Sequence, residues 1–116
     1  IDTDTDQLRW ARGYDHTYIL DKELGKLAIA SRCSSPKTGI VMEVYTDQPG
    51  VQLYTGNWMS GNLRGKHDHR YPARAALCLE TQHYPDSPNK PEYPSTRLNP
   101  GETFRSTTIF RFTLEA

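Results

Sequence analysis

The sequence lacks an excess of charge of either sign. Its 14 lysines and arginines are balanced by 14 aspartates and glutamates, so the formal net charge is zero. No run of five like charges occurs in the chain. Nucleic-acid-binding domains usually carry a basic patch or stripe, and the composition therefore predicts no nucleic-acid partner.

Long apolar stretches are also missing. A transmembrane helix needs about 20 consecutive apolar residues, and no run in this chain approaches that length. We therefore expect no membrane partner. No signal peptide opens the chain, but mature proteins lose theirs. The compartment stays open on these grounds, with the cytoplasm slightly favoured over the periplasm or secretion.

Cysteine is scarce, because the chain contains only Cys33 and Cys78. Both lie in apolar, strand-like stretches, and cysteine is often buried as a small hydrophobic residue. We therefore favour two free thiols in the core. A disulfide between them is the alternative, and the redox compartment stays undecided.

Helical periodicity is nearly absent, and the composition favours a loop-rich β protein. Only 35% of the residues are hydrophobic, whereas the chain has eight glycines, eight prolines and seven tyrosines. A length of 116 residues is enough for one domain with one core. The low hydrophobic fraction suggests that this domain is part of something larger.

Several apolar or alternating stretches, separated by turns rich in glycine and proline, predict strands. The stretches 26–33 and 40–46 are predicted to pair as a hairpin, and 108–114 alternates between two faces. Two more strands are predicted within 51–57 and 74–82. The set predicts an all-β sandwich or a section of one. The proline-rich run 86–100 is predicted to be an ordered surface loop or a linker.

The first residues resemble a calcium loop without completing it. Asp2, Asp4 and Asp6 alternate as in the start of such a loop, which also needs a glycine at its sixth position and a glutamate at its twelfth. Those positions hold Gln7 and Gly13. We interpret the aspartates as a solvated terminal run.

The stretch "KHDHR" puts His67 and His69 on one side of an extended segment. A zinc site needs three or four ligands, and no cysteine or third histidine is near in sequence. We interpret the stretch as a polar loop, and we predict no metal site in this chain.

Two acidic residues need an explanation. Asp15 precedes His16 in "GYDHTYIL", where aspartate commonly bonds its own backbone in a turn and histidine serves as a structural hydrogen-bond partner. Glu80 ends the apolar run "ALCLE", although an unpaired buried charge is costly. A carboxylate there is tolerable if it faces a polar cleft instead of the core.

Three motifs in order resemble the C-terminal third of the aldose 1-epimerases, or galactose mutarotases. They are "GYDHTYIL", "GIVMEVYTDQPGVQLYTGN" and "LCLETQHYPDSPNKPEYPSTRLNPGETFRSTTIFRF". The resemblance extends from about residue 13 to residue 112, and the last motif is highly specific. It implies that residues 1–116 are the C-terminal segment of a single domain with a β-supersandwich fold.

The resemblance also implies an activity and its residues. The family interconverts the α and β anomers of free aldohexoses such as galactose or glucose, without a cofactor. Glu80 matches the general base, Asp15 a carboxylate that binds sugar hydroxyls, and Gln52 an amide of the active site. Trp58 follows "YTGN", where the family commonly has phenylalanine, and its ring is expected to border the sugar.

Some family features have no match in this chain. The family's general acid is a histidine, and a further histidine and an arginine bind the sugar, all upstream of the matched segment. We therefore expect a companion polypeptide that carries the N-terminal part of the same fold. Relatives usually have Lys-His-Ser or Lys-His-Ala where this chain has "ARA" around Arg74, which we interpret as a change in the rim or the packing.

Two other functions remain open at this point. The first is a non-catalytic carbohydrate-binding module, in which Asp15, Gln52 and aromatic residues bind sugar without any acid. The second is an epimerase of sugar phosphates, which would need cationic groups near the phosphate and for which Arg74 is a candidate.

Overall fold

A computed structural model describes residues 5–115, and its regular secondary structure is mostly strand, as the sequence predicts. One short helix, α1 (Asp6–Ala11), precedes them, and two single 3₁₀ turns occur at Lys66–Asp68 and Ser87–Asn89. The strands are β1 (Asp15–Ile19), β2 (Ala28–Ser34), β3 (Ile40–Thr46), β4 (Gly50–Tyr54), β5 (Ser60–Arg64), β6 (Arg70–Pro72), β7 (Cys78–Gln82) and β8 (Thr108–Leu114).

Helix α1 is held by local capping. The Thr5 hydroxyl accepts a hydrogen bond from the Leu8 amide at 3.3 Å, so one of the unpaired amides of the first turn is satisfied. Arg12 ends the helix in the left-handed conformation. A helix of only six residues is too short to show a hydrophobic period, which is why the sequence did not predict it. Asp2 and Asp4 of the calcium-like stretch lie outside the described residues.

The chain divides into two compact units, formed by residues 1–17 with 52–80 and by residues 18–51 with 81–116. Strands β1, β4 and β7 are hydrogen-bonded in that order. The first unit contains Asp15–Thr17, Gln52–Tyr54 and Cys78–Glu80 of these strands. It also contains the antiparallel β5–β6 pair, in which Ser60 is opposite Pro72 and Arg64 is opposite Arg70.

The second unit contains a three-stranded antiparallel sheet in the order β2–β3–β8. Strands β2 and β3 form the predicted hairpin, with an irregularity between Ile29 and Ser31. Strands β3 and β8 pair without a break from Ile40–Leu114 to Thr46–Thr108. Because β3 has a partner on each side, it is the central strand of this sheet.

The core of the second unit is small and centred on β3. Val41 and Val44 are 2% and 0% exposed. Strand β8 forms as predicted, but its alternation does not separate a buried face from a solvent face. Phe110 and Phe112 on one side are 49% and 63% exposed, and Ile109 on the other is 45% exposed. Within the described residues, neither face of β8 is covered.

The two cysteines are both free. Cys33 is half-buried and Cys78 is exposed, so the prediction of two core thiols is wrong for Cys78. Its side chain extends from β7 on the same face as Glu80, two residues further along the strand.

The proline-rich segment is a loop fixed by local contacts. The buried Ser87 hydroxyl donates to the Tyr84 carbonyl oxygen at 2.6 Å, and the rings of Tyr84 and Tyr93 meet edge to face at 5.2 Å. Further along, the side-chain amide and the backbone amide of Asn99 donate to Glu102 and hold the pKa of that carboxyl below its ordinary value. These bonds order a segment whose prolines exclude strand pairing.

None of the helices in residues 5–115 has the length and apolar character that crossing a membrane requires.

Candidate functional site

Asp15 and Gln52 meet on neighbouring strands. The Gln52 side-chain amide on β4 donates a 2.7 Å hydrogen bond to Oδ1 of Asp15 on β1. Asp15 lies within a strand and bonds a residue far along the chain, so the interpretation of it as a turn-forming residue is wrong. Its carboxylate is exposed and forms no ion pair within residues 5–115. Oδ2 therefore stays open to a ligand.

Thr17 bonds to the oxygen of the Gln52 side-chain amide. Its hydroxyl donates to Oε1 of Gln52. Thr17 and Asp15 are two residues apart on β1 and project to the same face of the sheet. Gln52 thus bonds to both, with its nitrogen toward Asp15 and its oxygen toward Thr17. One N–H of the amide remains directed at neither residue.

Tyr54 connects this face to Trp58. It lies two residues beyond Gln52 on β4, so its side chain projects to the same face. The Tyr54 hydroxyl accepts a 3.2 Å hydrogen bond from the backbone amide of Trp58. The turn that carries Trp58 is therefore fixed to the same face as Asp15 and Gln52.

The turn before Trp58 is also tied to the residues that precede β1. Asn57 is buried, and its side-chain amide donates to the Tyr14 carbonyl oxygen at 2.8 Å. Gly13 has a φ of 146°, and a Cβ atom there would lie 2.2 Å from Oδ1 of Asn57. Glycine is therefore required at position 13, because any side chain would displace Asn57.

Trp58 itself is 55% exposed, and one of its faces carries a cation. The Arg12 guanidinium lies 4.6 Å from the centre of the Trp58 ring, a geometry that stabilises both side chains. Arg74 donates from its guanidinium to the Arg12 carbonyl oxygen and from its backbone amide to the Gly56 carbonyl oxygen. Arg74 thus bonds to both segments that meet at Trp58.

Glu80 lies on β7, the strand next to β4. Its side chain is exposed, and it has no hydrogen bond or ion pair with another residue of the described chain. The charge therefore costs little, because it is solvated and not buried. Strands in a sheet are about 4.8 Å apart, so β1 and β7, which flank β4, are separated by roughly 10 Å.

This spacing suits a small polyol. The strand order puts Gln52 on the strand between those of Asp15 and Glu80. The arrangement offers two carboxylates that accept hydrogen bonds and one amide N–H that donates. Carbohydrates are bound in this way, because each hydroxyl is both a donor and an acceptor.

The histidines of this chain serve local roles. The backbone amide of Asp15 donates to Nδ1 of His16 at 2.9 Å, as expected of a structural partner. His67 lies within the polar 3₁₀ turn and His69 directly follows it, with their ring centres 6.4 Å apart. Within residues 5–115, no cluster of three potential metal ligands occurs.

The second unit contains a cavity. It has a volume of about 630 Å³, and its lining includes Phe104 and His83, whose Nδ1 is 2.9 Å from the Gln48 side chain. None of the predicted site residues lines it. The candidate site is therefore an open sheet surface and not this cavity.

Comparison with known proteins decides the family. The profile of the family described as aldose 1-epimerase matches residues 1–111. The chain belongs to the aldose 1-epimerase family. Galactose mutarotase of Mus musculus is 46% identical over 102 residues, which make up 88% of this chain and 30% of that protein. Aldose 1-epimerase of Escherichia coli is 35% identical over 113 residues, or 95% of this chain and 32% of that protein.

A solved structure supports the same fold. The GalM/aldose epimerase homologue from C. elegans superimposes with a TM-score of 0.75 at 26% identity, over 87% of this chain and 30% of that one. The aldose 1-epimerase segment described here thus spans about a third of the length of these relatives. The mutarotases and epimerases that it resembles are isomerases.

Sequence reasoning missed three residues around the candidate site. Thr17 and Tyr54 follow Asp15 and Gln52 at the two-residue spacing that puts side chains on one face of a strand, and this spacing was a usable signal. Arg12 had no such signal. Its contact with Trp58 joins residues 46 positions apart through tertiary packing.

Proposed function

We propose that this segment contributes the general base and the sugar-binding side chains of an aldose 1-epimerase that interconverts the α and β anomers of free aldohexoses. The observation that carries the proposal is the hydrogen-bonded pair of Asp15 on β1 and Gln52 on β4, with Glu80 on β7, the strand next to that of Gln52. Relatives named galactose mutarotase make galactose the first substrate to test.

The proposed reaction begins at the anomeric hydroxyl. Glu80 takes the proton of the C1 hydroxyl, the C1–O5 bond breaks, and the ring oxygen receives a proton from a general acid. Rotation about the C1–C2 bond turns the other face of the aldehyde toward O5. Reversal of both proton transfers then closes the ring as the other anomer. An exposed carboxylate that no cation of the described chain neutralises is available for this role.

Asp15 and Gln52 are proposed to hold the sugar during these steps. Oδ2 of Asp15 accepts from one hydroxyl, and the remaining N–H of Gln52 donates to another. Because the two groups are already bonded to each other, little freedom is lost when the sugar binds. Fixing the reactant in this way raises the rate by orienting C1 toward the base.

We further propose that a companion polypeptide carries the N-terminal part of the same fold and supplies the general acid, a histidine, together with another histidine and an arginine. Exposed apolar residues support this, since a typical monomer covers most of its large apolar patches. In the second unit, Phe110, Phe112 and Leu114 of β8 are all at least 49% exposed. We call this segment together with its companion the assembly.

The companion can be tested by mass measurement of one active preparation. Native mass spectrometry should show a complex larger than 13.3 kDa. Denaturing conditions should release either a second chain of roughly two hundred residues or one longer covalent chain. A 13.3 kDa chain that is folded, alone and active as a mutarotase would overturn the proposal, because another acid would then be at work.

Trp58→Ala should weaken sugar binding about threefold to tenfold, the equivalent of one lost aromatic contact. Trp58→Phe should keep most of the affinity, because it retains an aromatic face. Titration calorimetry with galactose measures both variants. Trp10→Ala is the matched control, since Trp10 is 75% exposed on α1. Equal affinities for Trp58→Ala and the control would remove Trp58 from the site.

Polarimetry of freshly dissolved α-galactose tests the function as a whole. The assembly should accelerate the approach to anomeric equilibrium well above the rate in buffer. Binding of galactose without acceleration would instead indicate a carbohydrate-binding module. Strong preference for galactose 6-phosphate over galactose would indicate a sugar-phosphate epimerase.

A further inference from the structure

Gln52 can present either its oxygen or its nitrogen to a ligand, and the two orientations have opposite hydrogen-bonding character. The contacts select one of them. The amide nitrogen donates to Asp15 at 2.7 Å, and the amide oxygen accepts from the Thr17 hydroxyl. The carboxylate of Asp15 can only accept, so it selects the orientation with the nitrogen toward it, and the Thr17 hydroxyl donates to the amide oxygen in that orientation.

The two partners do not constrain the amide equally. Asp15 is exposed, whereas Thr17 is half-buried on the same strand. A sugar hydroxyl that donates to the Asp15 carboxylate competes with the amide for it. Once the sugar is bound, the Thr17 hydroxyl still bonds the amide oxygen, so the amide nitrogen stays available to donate to the sugar.

We propose that Thr17 is a positioning residue of the sugar site, whose hydroxyl keeps Gln52 oriented as a hydrogen-bond donor to the substrate. The proposal rests on the proposed function of the site. As a consequence, the Gln52 amide donates to the oxygen of one sugar hydroxyl, and the Asp15 carboxylate accepts from a neighbouring hydroxyl. The pair thus fits two adjacent hydroxyls of a pyranose.

Replacement of the hydroxyl by a methyl group tests this. Thr17→Val in the assembly should raise KM for galactose about threefold to tenfold, the equivalent of one neutral hydrogen bond, with a smaller change in kcat. Thr17→Ser keeps the hydroxyl and should restore KM to near the wild-type value. Thr113→Val makes the same change at a strand threonine of β8 outside the site and should leave KM unaltered.

A double-mutant cycle separates this role from a general structural one. If Thr17 acts through Gln52, Thr17→Val should add almost nothing in a Gln52→Ala background. Additive losses in the cycle, or a Thr17→Ser variant as impaired as Thr17→Val, would overturn the proposal. If Thr17→Val does not fold by circular dichroism, Thr17→Ala replaces it in the same cycle.

The hydroxyl that Gln52 binds can be found with monodeoxy galactoses. For one of these sugars, the loss of affinity relative to galactose should be smaller in Thr17→Val than in the wild type. In Thr17→Val the bond from Gln52 to that hydroxyl is already weakened, so removing the hydroxyl costs less. Equal penalties across the set would contradict the assignment. A wild-type assembly without mutarotase activity would overturn the proposed function first, whereas an active wild type with an unimpaired Thr17→Val overturns the role of Thr17 alone.

Discussion

Glu80→Gln is expected to lower the rate of anomer interconversion by about 10²–10⁴, the usual cost of losing a general base. The amide keeps the size and shape of the side chain but cannot take the proton of the C1 hydroxyl. Affinity for galactose should change little, because the base acts mainly in the transition state. Polarimetry gives the rate, and calorimetry of the same preparation gives the affinity.

The control for this variant is Glu92→Gln, which makes the same change at an exposed glutamate of the proline-rich loop. It should leave the rate unaltered. A near-normal rate for Glu80→Gln would remove Glu80 from the mechanism. A loss of affinity as large as the loss of rate would make Glu80 a binding residue and not the base.

Asp15→Ala is expected to reduce both sugar affinity and catalytic efficiency by roughly tenfold to a hundredfold. Hydrogen bonds to a charged group contribute about 1.5–3 kcal/mol, and this variant also removes the partner of the Gln52 amide. Gln52→Ala should act in the same direction with a smaller effect, because its bonds to the sugar are neutral. Calorimetry with galactose and steady-state polarimetry measure the two quantities.

Asp21→Ala serves as the matched control, since Asp21 is an exposed aspartate in the segment after β1. The effects of the Asp15 and Gln52 substitutions should also be coupled. The combined Asp15→Ala and Gln52→Ala variant is expected to lose less than the two single losses together. If Asp15→Ala has unchanged affinity for galactose, the role of Asp15 is purely structural.

The sequence by itself determined the fold class and the family. Period-two alternation and turn residues predicted the β2–β3 hairpin and strand β8, and both form. These signals are local, because a strand and its turns depend on residues near in sequence. The motifs around Asp15, Gln52 and Glu80 were likewise sufficient to predict the family that the comparisons show.

The sequence could not predict which faces are covered. The alternation of β8 suggested one apolar face for a core, yet Phe110 and Phe112 stay exposed in the described chain. Cys78 was expected in the core because it lies in an apolar stretch and cysteine is often buried, and it is exposed. Burial depends on what packs against a strand, and a periodic pattern carries no information about that neighbour.

Only the tertiary structure decided how the site is assembled. The Asp15–Gln52 bond joins residues 37 positions apart, and the Arg12–Trp58 contact joins residues 46 apart. The spacing of Thr17 from Asp15 predicts only that both project to one face, whereas the bond from the Thr17 hydroxyl to Oε1 of Gln52 needs the neighbouring strand. A sequence specifies which groups are available, whereas their hydrogen-bond partners are set by strand order and side-chain direction. Those are properties of the folded sheet.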